Sequence, residues 1–168
     1  MITLRDYLNT DANRLVELAN NERVSKYMVD TFTFPFTLRD ATWWIEIGSS
    51  AGNAITKVIE YHGEFIGSLT TQPQVGWKNH TAEIGYWLGE RYWGQGIATE
   101  ALRQMSALAF SDPHCKKLFA PVLAPNKASM RVLEKCGYVL EGIFKNDVVK
   151  NGQFFDRHYY ARHYQPGK

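Results

Sequence analysis

At 168 residues and 45% hydrophobic content, the chain has enough apolar material for one domain with a single substantial core and little room for a second. Its 19 Lys and Arg stand against 17 Asp and Glu, a formal net charge of +2 with no long block of either sign, which argues against nucleic acid or an anionic membrane as partner. The two cysteines, Cys115 and Cys136, have neither Cys-x-x-Cys spacing nor histidine pairs nearby, so neither a zinc site nor a disulfide framework is indicated.

Residues 2–5 alternate and predict an opening strand. Thr10 or Asp11 then caps a helix that carries Leu15, Leu18 and Ala19 on one side, and Asn20 and Asn21 suit its end. A Phe-rich segment holding Phe32, Phe34 and Phe36 follows, punctuated by Pro35, before Thr37 caps a second helix running through Trp43, Trp44 and Ile47. Residues 54–61 and 65–70 read as two strands of a hairpin joined by His62-Gly63-Glu64, and residues 81–88 as the next strand. In that strand Ala82, Ile84, Tyr86 and Leu88 share one face while Glu83, Gly85 and Trp87 share the other; Gly85 marks a bulge or a place of close approach.

From 96 to 110 the spacing of Ile97, Ala101, Leu102, Met105, Leu108 and Ala109 predicts an amphipathic helix ended by Ser111-Asp112-Pro113. A strand over 117–123 contains Pro121, which suggests an edge or a splay because proline donates no ladder hydrogen bond. Asn126 caps a further helix with Met130, Leu133 and Cys136 on one stripe, and Asn151-Gly152 joins two last strands over 138–144 and 154–160. The order is β-αα-βββ-α-β-α-ββ, a mixed α/β fold in one domain over 1–168, with no internal repeat or linker. No leader pattern opens the chain, and no apolar run approaches the roughly 18 residues needed to span a bilayer, so the expectation is cytoplasmic.

The stretch Arg91-Tyr92-Trp93-Gly94-Gln95-Gly96-Ile97-Ala98-Thr99 lies between a strand and a helix. Gly94 and Gly96 allow the backbone to approach an anion closely, the helix beginning at Ile97 and Ala98 aims free N–H groups at the same place, and Arg91 adds a screened positive charge. A phosphate-binding turn and an ordinary strand-to-helix turn are both open on this pattern alone. The absence of Gly-Lys-Ser/Thr argues against a nucleotide triphosphatase loop, and Thr99 stands where a dinucleotide fingerprint would need a third glycine.

Arg91-x-x-Gly94-x-Gly96, preceded by Glu83-Ile84-Gly85-Tyr86-Trp87-Leu88 and followed by Asn126-x-x-Ser129 and Glu134-Lys135-Cys136-Gly137-Tyr138, resembles the GCN5-related N-acetyltransferases (GNAT), more narrowly their RimJ/RimL-like, ribosomal-protein-alanine acetyltransferase-like branch. The resemblance runs from about residue 4 to about residue 160. It implies the GNAT fold, a mixed, mostly antiparallel twisted sheet flanked by helices, and acetyl-CoA as cosubstrate with no metal. It also implies a cofactor site made of Tyr86, Trp87, Leu88, Arg91, Gly94, Gln95, Gly96, Ile97, Ala98, Asn126 and Ser129, with the pantetheine arm paired to the backbone near 86–88. The first two helices and their connection would form one wall of the acceptor pocket, so that residues 32–36 face either substrate or core.

Attack by an amine needs its neutral form, whereas alkyl amines are mostly protonated at neutral pH, so a base or water chain is useful. Glu83 is the candidate base; a solvated or salt-bridged strand carboxylate is the alternative. The leaving thiolate gains from a hydrogen-bond donor, and Ser129 in the first turn of its helix can supply one, while Asn126 serves as cap, as ligand contact or as both. Many members of the resembled family place a tyrosine where this chain has Leu133, four residues before Gly137, and a hydrocarbon cannot donate a proton. The expected activity is therefore direct acetyl transfer in a ternary complex to a primary amine, a protein amino terminus foremost. Small amines (a polyamine, amino acid or aminoglycoside) and a non-catalytic coenzyme A sensor are the alternatives. The aromatic residues Phe154, Phe155, Tyr159 and Tyr160 suit either a homodimer contact or the core.

Overall fold

The computed structural model describes residues 1–167. Seven strands, β1 (Ile2–Arg5), β2 (Ile55–Tyr61), β3 (Glu64–Pro73), β4 (Thr81–Leu88), β5 (Lys117–Leu123), β6 (Val139–Lys150) and β7 (Gln153–His163), form one sheet in the order β1-β2-β3-β4-β5-β7-β6. Every neighbouring pair is antiparallel except β4 and β5, which run parallel. The helices are α1 (Ala12–Ala19), α2 (Glu22–Ser25), α3 (Leu38–Glu46), α4 (Ile97–Phe110) and α5 (Lys127–Lys135). None of them is long and apolar enough to cross a membrane.

The expected element order stands with one addition. Asn21 does not end the first helix; its side chain accepts from the N–H groups of Arg23 and Val24 and so starts the short α2. Asp11 likewise holds the N-cap position of α1 without capping it, because its carboxylate receives Leu8 N–H and two Arg5 guanidinium bonds of 2.8 and 3.0 Å. Thr37 does cap α3 by reciprocal bonds with Asp40, and the helix ends one residue short of Ile47.

α1 packs on α3 and β3, while α4 packs on α5, β1, β3 and β4. Adjacent strand residues point to opposite faces, and β4 displays both sides of this arrangement: Tyr86 reaches α5, whereas the Trp87 ring meets Phe32 and Phe65. The core joins these faces, with Leu15, Ala41, Ile59, Ile66, Leu69, Leu102, Met105, Leu118 and Leu133 at most 1% exposed. Burying such side chains stabilises the fold by roughly 1.5–3 kcal/mol each. Tyr160 belongs to this core, but Phe154 at the far end of β7 is exposed.

β4 and β5 pair only at Thr81↔Lys117, Ala82↔Leu118 and Glu83↔Phe119, after which they diverge. Pro121 falls just beyond the last rung, on an interior strand whose other side pairs with Tyr159 of β7, so the proline marks a splay and not an edge. Gly85 sits in unbroken register with Thr70 of β3, and nothing lies within 4 Å of where a Cβ would be. It opens space beside the splay and makes no bulge.

Candidate active site

The splay leaves the β5-facing backbone groups of β4 beyond Glu83 without a strand partner, at the end of the sheet where α4 and α5 begin. An unpaired strand edge inside a fold is a docking rail for an extended ligand with amide groups. One group is already used: the Trp93 indole donates to Leu88 O at 2.9 Å.

At the mouth of this gap Gly94 and Gly96 adopt φ of 73° and 78°, and a Cβ at either would meet nothing within 4 Å. Gly96 is the N-cap of α4 and offers no side chain to the first N–H groups, so these donors remain available to an anion. Gln95 braces the turn by donating from Nε2 to Arg91 O at 3.0 Å. Ile97 is buried and Ala98 half-buried, so both line the turn with backbone. Arg91 is lodged to one side, 3.6 Å from Glu64 and over the Tyr92 ring, which partly neutralises the charge it brings to the turn. An open cradle of N–H groups beside an unpaired strand fits a pyrophosphate followed by a diamide arm.

Asn126 caps α5 by accepting from Ser129 N at 3.3 Å. The Ser129 hydroxyl lies 2.7 Å from Tyr86 Oη, and the same phenol reaches Ser129 O at 3.1 Å. Tyr86 therefore spans the splay from β4 to the first turn of α5, a role for its side chain that the sequence pattern did not indicate. Burial pushes the Tyr86 hydroxyl above its usual range, and the bond to Ser129 only partly offsets this, so it stays protonated. Leu133, one turn further along α5, is fully buried hydrocarbon.

Glu83 occupies the last rung before the splay, on the face opposite Tyr86. Its cross-strand partner Phe119 stacks on Tyr159 with ring centroids 5.0 Å apart, and Phe144 closes on the edge of Tyr159. Burial raises the Glu83 carboxyl above the usual carboxylate range, and the charge of Arg157 pulls it back. Arg157 is itself paired with Asp147.

On the same face, Trp87 makes a T-shaped contact with Phe32, which in turn lies against Phe36. The Phe-rich segment thus divides: Phe36 is buried, Phe34 is exposed, and Phe32 is half-buried against Trp87. Lys150 ties the last hairpin to the segment after α2, donating to Ser25 O at 2.8 Å and Met28 O at 2.6 Å. Phe119, Arg157 and Lys150 were not singled out by sequence; β-propensity marks Phe119 only as a strand residue, and no local pattern marks the other two.

Residues 1–139 match the acetyltransferase (GNAT) domain model. The chain belongs to the GNAT acetyltransferase family. It is 30% identical over 169 residues to a Bacillus subtilis (strain 168) protein named "Putative ribosomal N-acetyltransferase YdaF", covering 95% of this chain and 90% of that one. A shorter match, 34% identical over 84 residues, covers 50% of this chain and 47% of the ribosomal-protein-serine acetyltransferase of Escherichia coli (strain K12). The crystal structure of the microcin C7 self-immunity acetyltransferase MccE in complex with acetyl-CoA and AMP superposes with a TM-score of 0.84 at 27% identity, over 97% of this chain and 92% of that one.

This GNAT protein is an acetyl-CoA-dependent N-acetyltransferase with the expected fold. Among the described residues no group of three or more His, Cys, Asp or Glu side chains is arranged to hold a metal ion. Cys136 is buried and donates to Thr99 O, a packing role. A separate cavity of about 810 Å³ near Phe110, Cys136 and Arg162 lies at the other end of α4, away from the splay.

Proposed function

We propose that the acceptor is a primary amine held in the aromatic cleft beside Glu83, by preference the α-amine of a protein amino terminus. The observation that carries this reading is the placement of Glu83: a carboxylate at the last rung of the β4–β5 pair, half-buried, basic for its type, and facing Phe119, Tyr159 and Trp87. A neutralised α-amine followed by an extended backbone fits aromatic walls and one half-buried acid, the nearby Asp147 being taken up by Arg157. The relatives named for ribosomal proteins support the same preference. A polyamine fits less well, since the other carboxylates nearby, Asp147 and Asp30, already face Arg157 and Lys150.

Acetyl-CoA, when bound, supplies an acetyl thioester. Around it the chain's own groups divide the work. The N–H groups at Gly94 to Ala98 and the helix dipole of α4 hold negative charge, and the free backbone of β4 aligns an extended arm. Glu83, directly or through water, takes the proton that the amine loses as its nitrogen bonds to the acetyl carbon. Ser129 donates a hydrogen bond to the sulfur as the carbon–sulfur bond breaks, so that thiolate departs without a full proton transfer inside the site. With Cys136 buried against Thr99 O, direct attack in a ternary complex is the simplest path.

The test is release of free thiol from acetyl-CoA with amino-terminal peptides, polyamines, free amino acids and aminoglycosides as acceptors. Peptides are expected to give the highest kcat/KM. Turnover confined to the small amines would replace the protein-terminus reading.

A further inference from the structure

Ser129 has one hydroxyl hydrogen, and its hydrogen-bond partner decides where that hydrogen points. Tyr86 Oη lies 2.7 Å from Ser129 Oγ and 3.1 Å from Ser129 O. The phenol also carries a single hydrogen, so two arrangements exist. If Tyr86 donates to the carbonyl, Ser129 Oγ must donate back to the phenol, and its hydrogen is withheld from the splay. If Tyr86 donates to Oγ, the serine hydrogen is free.

We propose that Tyr86 is a positioning residue that orients the Ser129 hydroxyl toward the leaving sulfur, its own hydrogen moving from the Ser129 carbonyl to Ser129 Oγ as negative charge develops. This rests on the reading of Ser129 as the leaving-group donor. Both hydrogens rotate and no heavy atom moves, so the donor is ready without reorganisation of the site. Each bond strengthens the next: an oxygen that accepts from Tyr86 is a better donor to sulfur. No proton leaves the pair. The burial that raises the Tyr86 hydroxyl keeps it a donor rather than an acid.

The arrangement also explains how this chain functions with Leu133 on α5. The phenol comes from β4, reaches across the splay, and works through a serine rather than touching the ligand.

The decisive measurement, titration of the bound thiol, needs no acceptor. Coenzyme A bound to wild type, Ser129→Ala, Tyr86→Phe and the double variant is titrated by its ultraviolet thiolate absorbance, and kcat and the acetyl-CoA KM are measured with a Ser-initial peptide. Thermal melting checks that Tyr86→Phe, which keeps the ring, remains folded. The expected result is a bound thiol more acidic in wild type than in either single variant, with the double variant titrating like Ser129→Ala. Tyr86→Phe should lower kcat about 5–10-fold at nearly constant KM, the scale of one weakened hydrogen bond.

Two results overturn the role of Tyr86 while leaving Ser129 in place: a thiol shift in Ser129→Ala but none in Tyr86→Phe, or a further shift when Tyr86→Phe is added to Ser129→Ala. An unshifted thiol in Ser129→Ala removes the donor itself, and the role of Tyr86 falls with it.

Discussion

Glu83 and Tyr86 stand three residues apart on one strand and face opposite sides of the sheet, Glu83 at the last β4–β5 rung and Tyr86 beneath the first turn of α5. The parity of a β-strand therefore places a carboxylate on the face proposed for the acceptor and a hydroxyl pair on the other, with the splay between them. A one-residue shift in the register of β4 would exchange the two.

The Glu83 carboxylate carries a stability consequence with a definite sign. Its folded pKa lies above the ordinary 4.5 because burial disfavours the charged form. Ionisation therefore costs the folded state more than the unfolded one, and the deficit appears as pH rises through the unfolded value and is complete above the folded one. Glu83→Gln is expected to melt higher than wild type at neutral pH, with the difference vanishing below the ordinary carboxylate range. Matched melting curves across that range check it.

Ser129→Ala should lower kcat about 10-fold or more, the effect of losing one donor to a developing negative charge. The dissociation constant of acetyl-CoA should change little, because the cap on α5 belongs to Asn126 and survives the substitution. Calorimetric binding beside steady-state kinetics separates the two quantities.

Gly96→Ala forces a side chain into a left-handed residue at φ 78° and plants a methyl group in the cradle of N–H groups. The strain alone is about 1–2 kcal/mol. Acetyl-CoA affinity should fall about 10-fold or more, with only a modest loss in melting temperature.

Lys150 ties the last hairpin to the loop after α2 through Ser25 O and Met28 O. Lys150→Met removes both bonds while keeping most of the aliphatic stem. The acceptor KM should rise about 5–10-fold, as expected for one charge-assisted hydrogen bond, while the KM of acetyl-CoA stays put. Steady-state kinetics with each substrate varied in turn gives both values.

What the sequence disclosed follows from the range of the interactions involved. β4, β5, α4 and the Asn126 cap are written in local periodicity and in residues with narrow conformational preferences, and all fall where expected. Pro121 signalled an edge or a splay, and the pairing of β5 on both sides makes it the splay. The last two strands, expected over 138–144 and 154–160, run on through Lys145 and Asp147 to Lys150 and from Gln153 to His163. In the fold Lys145 and Asp147 pair across to Asp156 and Arg157, contacts set by the hairpin rather than by neighbours in sequence. Arg91 against Glu64 and Tyr86 against Ser129 likewise join residues on separate elements. Residue type marked the candidate positions; their hydrogen-bonding order needed the tertiary structure.

The pH dependence of kcat for wild type and Glu83→Gln at saturating acetyl-CoA tests the central claim most directly. As a base Glu83 must be ionised, so wild-type kcat should fall as pH drops through a midpoint above the ordinary carboxylate value. Glu83→Gln should lose about 100-fold in kcat together with that acid limb, with acetyl-CoA binding intact. A variant that kept both the wild-type rate and the limb would contradict the assignment of Glu83 as base.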